Sequence, residues 1–113
     1  MTDDRLPTEL WLKAHMRRLS LEGIPVAVLH RGEAMGGTVL LKLNQLDLGC
    51  RVLTQARGPD GTLGWLAAFE NRFVAEAEAD AYVARAVKRD PDLWALEIED
   101  RAGRHLFEGR LLA

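Results

Sequence analysis

Apolar positions along the chain keep to one period for a stretch, then switch, and each switch marks a new element. Behind Leu6-Pro7-Thr8, residues Leu12, Met16 and Leu19 recur at helical spacing until Gly23, with Pro25 beyond, which predicts a first helix of about four turns. Val26 to His30 and Thr38 to Leu43 are short Val- and Leu-rich runs on either side of the loop Gly32 to Gly37, the pattern of antiparallel strands. Cys50 to Gln55 and Thr62 to Phe69 meet across Gly58-Pro59-Asp60-Gly61, where Pro presets φ and Gly accepts a positive φ. These four runs predict a meander. From Glu76 to Arg89 the period returns to that of a helix, with Ala79, Tyr82, Val83, Ala86 and Val87 on one face, acids leading and Lys88-Arg89 ending it before Pro91. Leu93 to Glu99 and Arg104 to Glu108 then flank Asp100-Arg101-Ala102-Gly103 as a last hairpin. The order is α-ββββ-α-ββ, and the short strand connections predict an α+β domain with a predominantly antiparallel sheet.

These elements carry more apolar residues than one face of a sheet requires. Val39, Leu41 and Leu43 alternate with Leu40, and Leu53 is expected to pair with Leu66 across the next hairpin. Leu10, Ala14 and Leu21 lie nearly opposite the Leu12/Met16/Leu19 stripe of the first helix. Either the helices and the final hairpin cover this surplus within one monomer, or a subunit interface does. Leu40, Leu53, Leu66, Leu10 and Leu21 are therefore the expected contact residues of a homodimer. The same register sets Leu40 beside Leu53 and Lys42 beside Arg51, and facing cations need neutralising. An acid such as Glu97 or Glu70 can do this, and so can an anionic ligand or an acidic partner, which makes Lys42 and Arg51 a candidate anion patch.

Composition narrows the setting. The 113 residues fit a single domain spanning 1–113, and 48% hydrophobic content suffices for one core without metal or disulfides. A formal net charge of −2 gives no field that attracts nucleic acid or an anionic membrane. Lys13, Arg17 and Arg18 give the first helix a basic side, so a weak nucleic-acid-binding module stands as the third reading. The lone Cys50 cannot form an internal disulfide and points to a reducing, cytoplasmic compartment. Met1 to Arg5 read neither as a leader nor as a membrane span.

No arrangement of reactive residues amounts to a known catalytic site, and no metal or cofactor is expected. His15, His30 and His105 are scattered without ligand spacing, and single histidines in helices and strands are usually packed and hydrogen-bonded. Cys50 alternates with Val52 and Thr54 as a buried strand thiol would. Gly32, Gly36 and Gly37 precede a strand, whereas a phosphate loop leads into a helix. Glu97, Glu99, Asp100 and Glu108 suggest a cation site less than they suggest cross-strand pairing, with Glu99 opposite Arg104 in the hairpin. Trp11, Trp65 and Trp94 belong to three elements and read as core. Catalysis is disfavoured on these grounds.

Several stretches together carry a resemblance. Glu9-Leu10-Trp11, Arg17-Arg18, Arg31-Gly32 and Leu41-Lys42-Leu43-Asn44 lead to Asp90-Pro91-Asp92-Leu93-Trp94 and Glu97-Ile98-Glu99-Asp100-Arg101-Ala102-Gly103-Arg104. With these, the chain resembles the alphaproteobacterial domain-of-unknown-function family 1491 over nearly its whole length. The resemblance implies a bacterial, cytoplasmic protein and brings no activity with it. The expected function is therefore that of a small interaction or adaptor domain that self-associates with itself or an unidentified protein partner, the alternative being a binder of a small anionic ligand.

Overall fold

A computed structural model describes residues 7–112, so Met1 to Arg5 and the expected helix start at Leu6 lie outside the described residues. Helix α1, Thr8–Leu21, ends where Gly23 takes φ 76° and the Ile24 N–H reaches back to the Leu19 carbonyl at 2.9 Å. Strands β1 (Val26–His30), β2 (Val39–Asn44), β3 (Cys50–Arg57) and β4 (Leu63–Ala67) follow. Helix α2 spans Glu76–Arg89, β5 spans Trp94–Glu99, and the two-residue β6 is Leu111–Leu112. The six strands form one sheet in the order β1-β5-β2-β3-β4-β6.

The sheet is mixed and not predominantly antiparallel. β2, β3 and β4 form the expected antiparallel meander, but α2 carries the chain back across the sheet so that β5 lies parallel to β2. There β5 separates β2 from β1, with which it pairs antiparallel. The glycine loop between β1 and β2 is thus a wrap over the start of β5 and not a hairpin. A Cβ at Gly32 or Gly37 would strike the Asp92 carbonyl, and His30 Nδ1–H and Trp94 Nε1–H donate across the wrap to the Leu93 and Glu33 carbonyls at 2.8 Å each.

The expected last hairpin does not form, because both edges of β5 are already occupied by β1 and β2. Asp100 accepts the Arg104 N–H at 2.7 Å and holds its guanidinium, so Arg104 pairs with Asp100 and not with Glu99. Arg104 to Glu108 instead runs as an irregular strap over the α1 side and seats Phe107 against Trp11, His15 and Trp65. Only beyond it does the chain add β6, parallel to β4.

Each face of the sheet has its own core, which accounts for strands that are apolar on both sides. Val39, Leu41, Leu43, Leu53, Leu96 and Ile98 point toward Leu12 and Leu19 of α1. Leu40, Val52, Cys50 and Ala95 point toward Ala79, Val83 and Ala86 of α2. The β2–β3 register is shifted by one from the expected pairing: Leu41 faces Leu53, Lys42 faces Val52 and Leu43 faces Arg51. A one-residue slip exchanges faces. The β3–β4 register moves with it, so that Leu53 faces Ala67 and Thr54 faces Leu66.

Candidate functional site

Lys42 and Arg51 lie on opposite faces of the sheet and form no anion patch, because neighbouring pairs in the β2–β3 ladder alternate between faces. Lys42 is 2% exposed beneath α2. Its Nζ donates to Asp80 Oδ1 at 2.6 Å and Glu76 Oε2 at 2.8 Å, and stands 3.4 Å from Glu97 Oε2. Asn44 bridges two of these acids, donating to Glu97 at 3.0 Å and Glu76 at 3.4 Å. Burial works against the ammonium, but the hydrogen bonds from Asp80 and Glu76 and the charge of Glu97 outweigh it and raise the Lys42 pKa above that of an ordinary lysine. An ammonium so held is neither a nucleophile nor a base; it pins α2 to the sheet. Arg51 is likewise engaged, its Nε–H donating to Gln45 at 2.7 Å and its Nη1 to Asn71 at 2.9 Å.

The other reactive side chains are occupied by the fold. Cys50 is buried, and desolvation pushes its thiol up in pKa, away from the thiolate. His15 donates to the Trp11 carbonyl and stacks on Phe107 at 4.5 Å, whereas His105 accepts the Phe107 N–H at 3.1 Å. Burial and the nearby Arg51 charge lower the His105 pKa. Among the described residues, no group of His, Cys, Asp and Glu is arranged to hold a metal ion, and no helix is long and apolar enough to cross a membrane. Lys13 and Arg17 are exposed on α1, and Arg18 donates to the Leu106 carbonyl at 3.4 Å.

The expected contact leucines separate in the same way. Leu40 and Leu53 are buried in the two different cores, so neither is available to a partner. Leu10 and Leu21 are exposed on the outer side of α1. Leu66 lies on the other side of the sheet, 45% exposed, so one flat contact does not bury all three.

Leu66 marks the feature that reading the sequence missed. A helix with its side chains is about 10 Å across and strands lie about 4.8 Å apart, so one helix covers two or three strands of a sheet this wide. Ala79, Val83 and Ala86 seat α2 over β2, β3 and β5, which leaves β4 and β6 bare on that side. The result is an open groove of about 500 Å3 between α2 and β4, lined by Leu40, Thr54, Leu66, Tyr82, Ala86 and Arg89. Across Leu66 a second hollow of about 560 Å3 continues toward Arg57, Arg110 and Leu112.

Just past Ala67 and Ala68, which line the groove, the backbone is unusual. Phe69, Glu70 and Asn71 have φ of 55°, 55° and 61°, a left-handed turn that costs about 1–2 kcal/mol per residue. It is held by the Phe69 ring on Tyr82 at 5.3 Å, by the Arg51–Asn71 bond and by Arg72 Nε–H donating to the Phe69 carbonyl at 3.1 Å. The turn also stops β4 at Ala67, short of the expected Phe69. The only sequence sign of the groove is that Glu78, Arg85 and Arg89 recur at helical spacing along the Tyr82 edge of the core stripe of α2. Chemically the groove offers an apolar floor, the hydroxyls of Thr38, Thr54 and Tyr82, and the Arg89 guanidinium next to Asp90.

The whole-chain comparisons agree with this architecture. A crystal structure of a DUF1491 family protein from Caulobacter crescentus CB15 is 36% identical, with a TM-score of 0.84, and the match covers 96% of this chain and 100% of that one. An NMR structure of a DUF1491 family protein from the same organism gives 36% identity and a TM-score of 0.79 over 96% and 97% of the two chains. The solution structure of protein Atu0922 from A. tumefaciens, at 23% identity, shares the fold with a TM-score of 0.67 over 84% and 86%. No curated protein matches the chain. A family model described as a protein of unknown function, DUF1491, matches residues 6–108, and the chain belongs to that family.

Proposed function

We propose that the protein is a small interaction module that self-associates through the open half of its α2-side face. The observation that carries this is Leu66: it is 45% exposed at the floor of two adjoining hollows, beside the part of the sheet that α2 covers. Apolar area left open beside a packed core is the feature that association buries, at about 25 cal/mol per Å2. The absence of a poised nucleophile, base or metal cluster among the described residues favours binding over catalysis. Cys50, a single buried thiol, suits a cytoplasmic setting.

Sedimentation over a micromolar concentration series tests the reading. The expected result is a mass that rises to that of a dimer and is held at the monomer value by Leu66→Lys. A wild-type protein that stays monomeric throughout overturns it.

A further inference from the structure

We infer that the partner on this face is a second copy of the chain, packed head to tail about a two-fold axis passing near Leu66 and Tyr82. This rests on the reading of the groove as a self-association surface and adds the orientation of the two copies. Glu78, Tyr82, Arg85 and Arg89 stand at i, i+4, i+7 and i+11 along α2 and so share one flank, and Tyr82 and Arg89 place that flank on the groove. Glu76 and Asp80 turn the other way, toward Lys42.

Along the groove the charge therefore runs from acid to base. At the α2 N-terminal end Glu78 is exposed, and Glu70 stands on the left-handed turn whose Phe69 rests on Tyr82, tied only to the exposed Arg72 at 3.6 Å. At the other end Arg89 lines the groove and Arg110 the adjoining hollow, where Arg57 donates to the Gly61 carbonyl, and among the described residues lining the two hollows Asp90 is the single acid. The middle is Leu66 and Tyr82, with the exposed Arg85 on the same flank between Tyr82 and Arg89.

A surface that is acidic at one end, apolar in the middle and basic at the other is complementary to itself after a half-turn. The two-fold sets Glu78 of one copy beside Arg89 of the other, twice, and brings the two Leu66 side chains together. The two α2 helices then lie antiparallel, with opposite dipole ends adjacent. An unrelated acidic partner would match only the arginine end and leave Glu70 and Glu78 unanswered, so the arrangement favours a second copy.

Charge exchange between copies tests this. Arg89→Glu and Glu78→Arg, made in separate chains, are each expected to weaken association about tenfold, and an equimolar mixture to restore a heterodimer of near wild-type affinity. Raising salt to about 1 M should weaken the wild-type dimer, because exposed pairs are screened at that strength. Arg110→Glu lies outside α2 and gives the same test, again against Glu78→Arg, if Arg89→Glu disturbs the helix. If the wild type dimerises and Leu66→Lys splits it, yet neither mixture forms a heterodimer, the surface stands and the head-to-tail orientation is overturned. If the wild type is a monomer at every concentration, both readings fall together.

Discussion

The two faces of the sheet are built from alternate residues of the same strands, yet one is closed over its centre and the other is half open. On the α1 side, helix and strap together cover the middle strands and leave Val28, Leu63 and Leu111 bare only toward the rim, and two of the tryptophans there satisfy their N–H groups inside the chain, Trp65 on the Glu108 carbonyl at 2.9 Å and Trp94 on the Glu33 carbonyl at 2.8 Å. On the α2 side a single helix is seated by alanines and a valine and tied to the sheet by one buried lysine, which holds Glu76 and Asp80 of the helix and stands near Glu97 of β5. Two covering segments leave apolar side chains bare only at the rim of their face, whereas the single helix leaves the sheet open from Leu66 outward, which is the area the proposed self-association would bury.

The closed face should be the more costly to damage. Phe107 is 6% exposed and touches the rings of Trp11, His15 and Trp65, so Phe107→Ala is expected to destabilise the fold by about 3–5 kcal/mol, measured by urea unfolding. A loss below about 1 kcal/mol would mean that the strap does not close that face, and the contrast between the two would fail.

On the half-open face the largest effect should come from the lysine. Removing one member of a buried ion pair can cost about 3–5 kcal/mol, but here Glu76 and Asp80 are each 56% exposed and return to water. Lys42→Met keeps the buried stem and is expected to cost about 1–2 kcal/mol once that solvation is allowed for. The sign of its pH dependence follows from the raised pKa: the contribution is complete below the ordinary value of 10.5 and is lost as pH rises through the higher folded value. Alkaline melts should therefore fall more steeply for wild type than for Lys42→Met.

His105 gives the closed face the opposite dependence. Burial and Arg51 lower its pKa, so its contribution is complete above the ordinary value of 6.5 and is lost as pH falls through the lower folded value. Protonation also removes the acceptor of the Phe107 N–H. The melting temperature should drop on mild acidification below 6.5, and His105→Asn, which keeps an acceptor without titrating, should flatten that drop. An unchanged slope would mean that the strap does not sense this proton.

Much of the fold was legible in the sequence while the contrast between its faces was not, and the failures have separate physical causes. Helix periodicity set α2 at Glu76–Arg89 to the residue, and a short Val- and Leu-rich run set β1 at Val26–His30, because both are local signals. The β5 position was not local: nothing in Leu93 to Glu99 says that it pairs with both β1 and β2, and that fact made the sheet mixed and removed the last hairpin. The register slipped because Gln45 to Gly49 closes as a turn, with Gly49 at φ 107° and the Gln45 N–H on its carbonyl at 2.9 Å, a geometry that spacing alone does not reveal. That slip moved Leu53 and Arg51 to the α1 side and left Leu66, of the expected contact leucines, on the half-open face.

The smallest expected effect on folding is the one that most sharpens the comparison. Leu66→Lys replaces a side chain that the monomer leaves 45% exposed beside open hollows, so the long lysine stem can lie along Leu40 and Tyr82 with its ammonium in water. Its cost to monomer stability should stay within about 0.5 kcal/mol, the range of surface substitutions. The equivalent change one residue earlier, Trp65→Lys, would bury a cation in the closed face at 2% exposure and is expected to unfold the chain. Adjacent residues of one strand thus report on the two faces separately. Denaturant unfolding of Leu66→Lys, read at a concentration where the wild type is monomeric, measures the first. A loss of several kcal/mol would show that Leu66 already supports the monomer's own packing, which would close the half-open face and leave nothing there for a partner to cover.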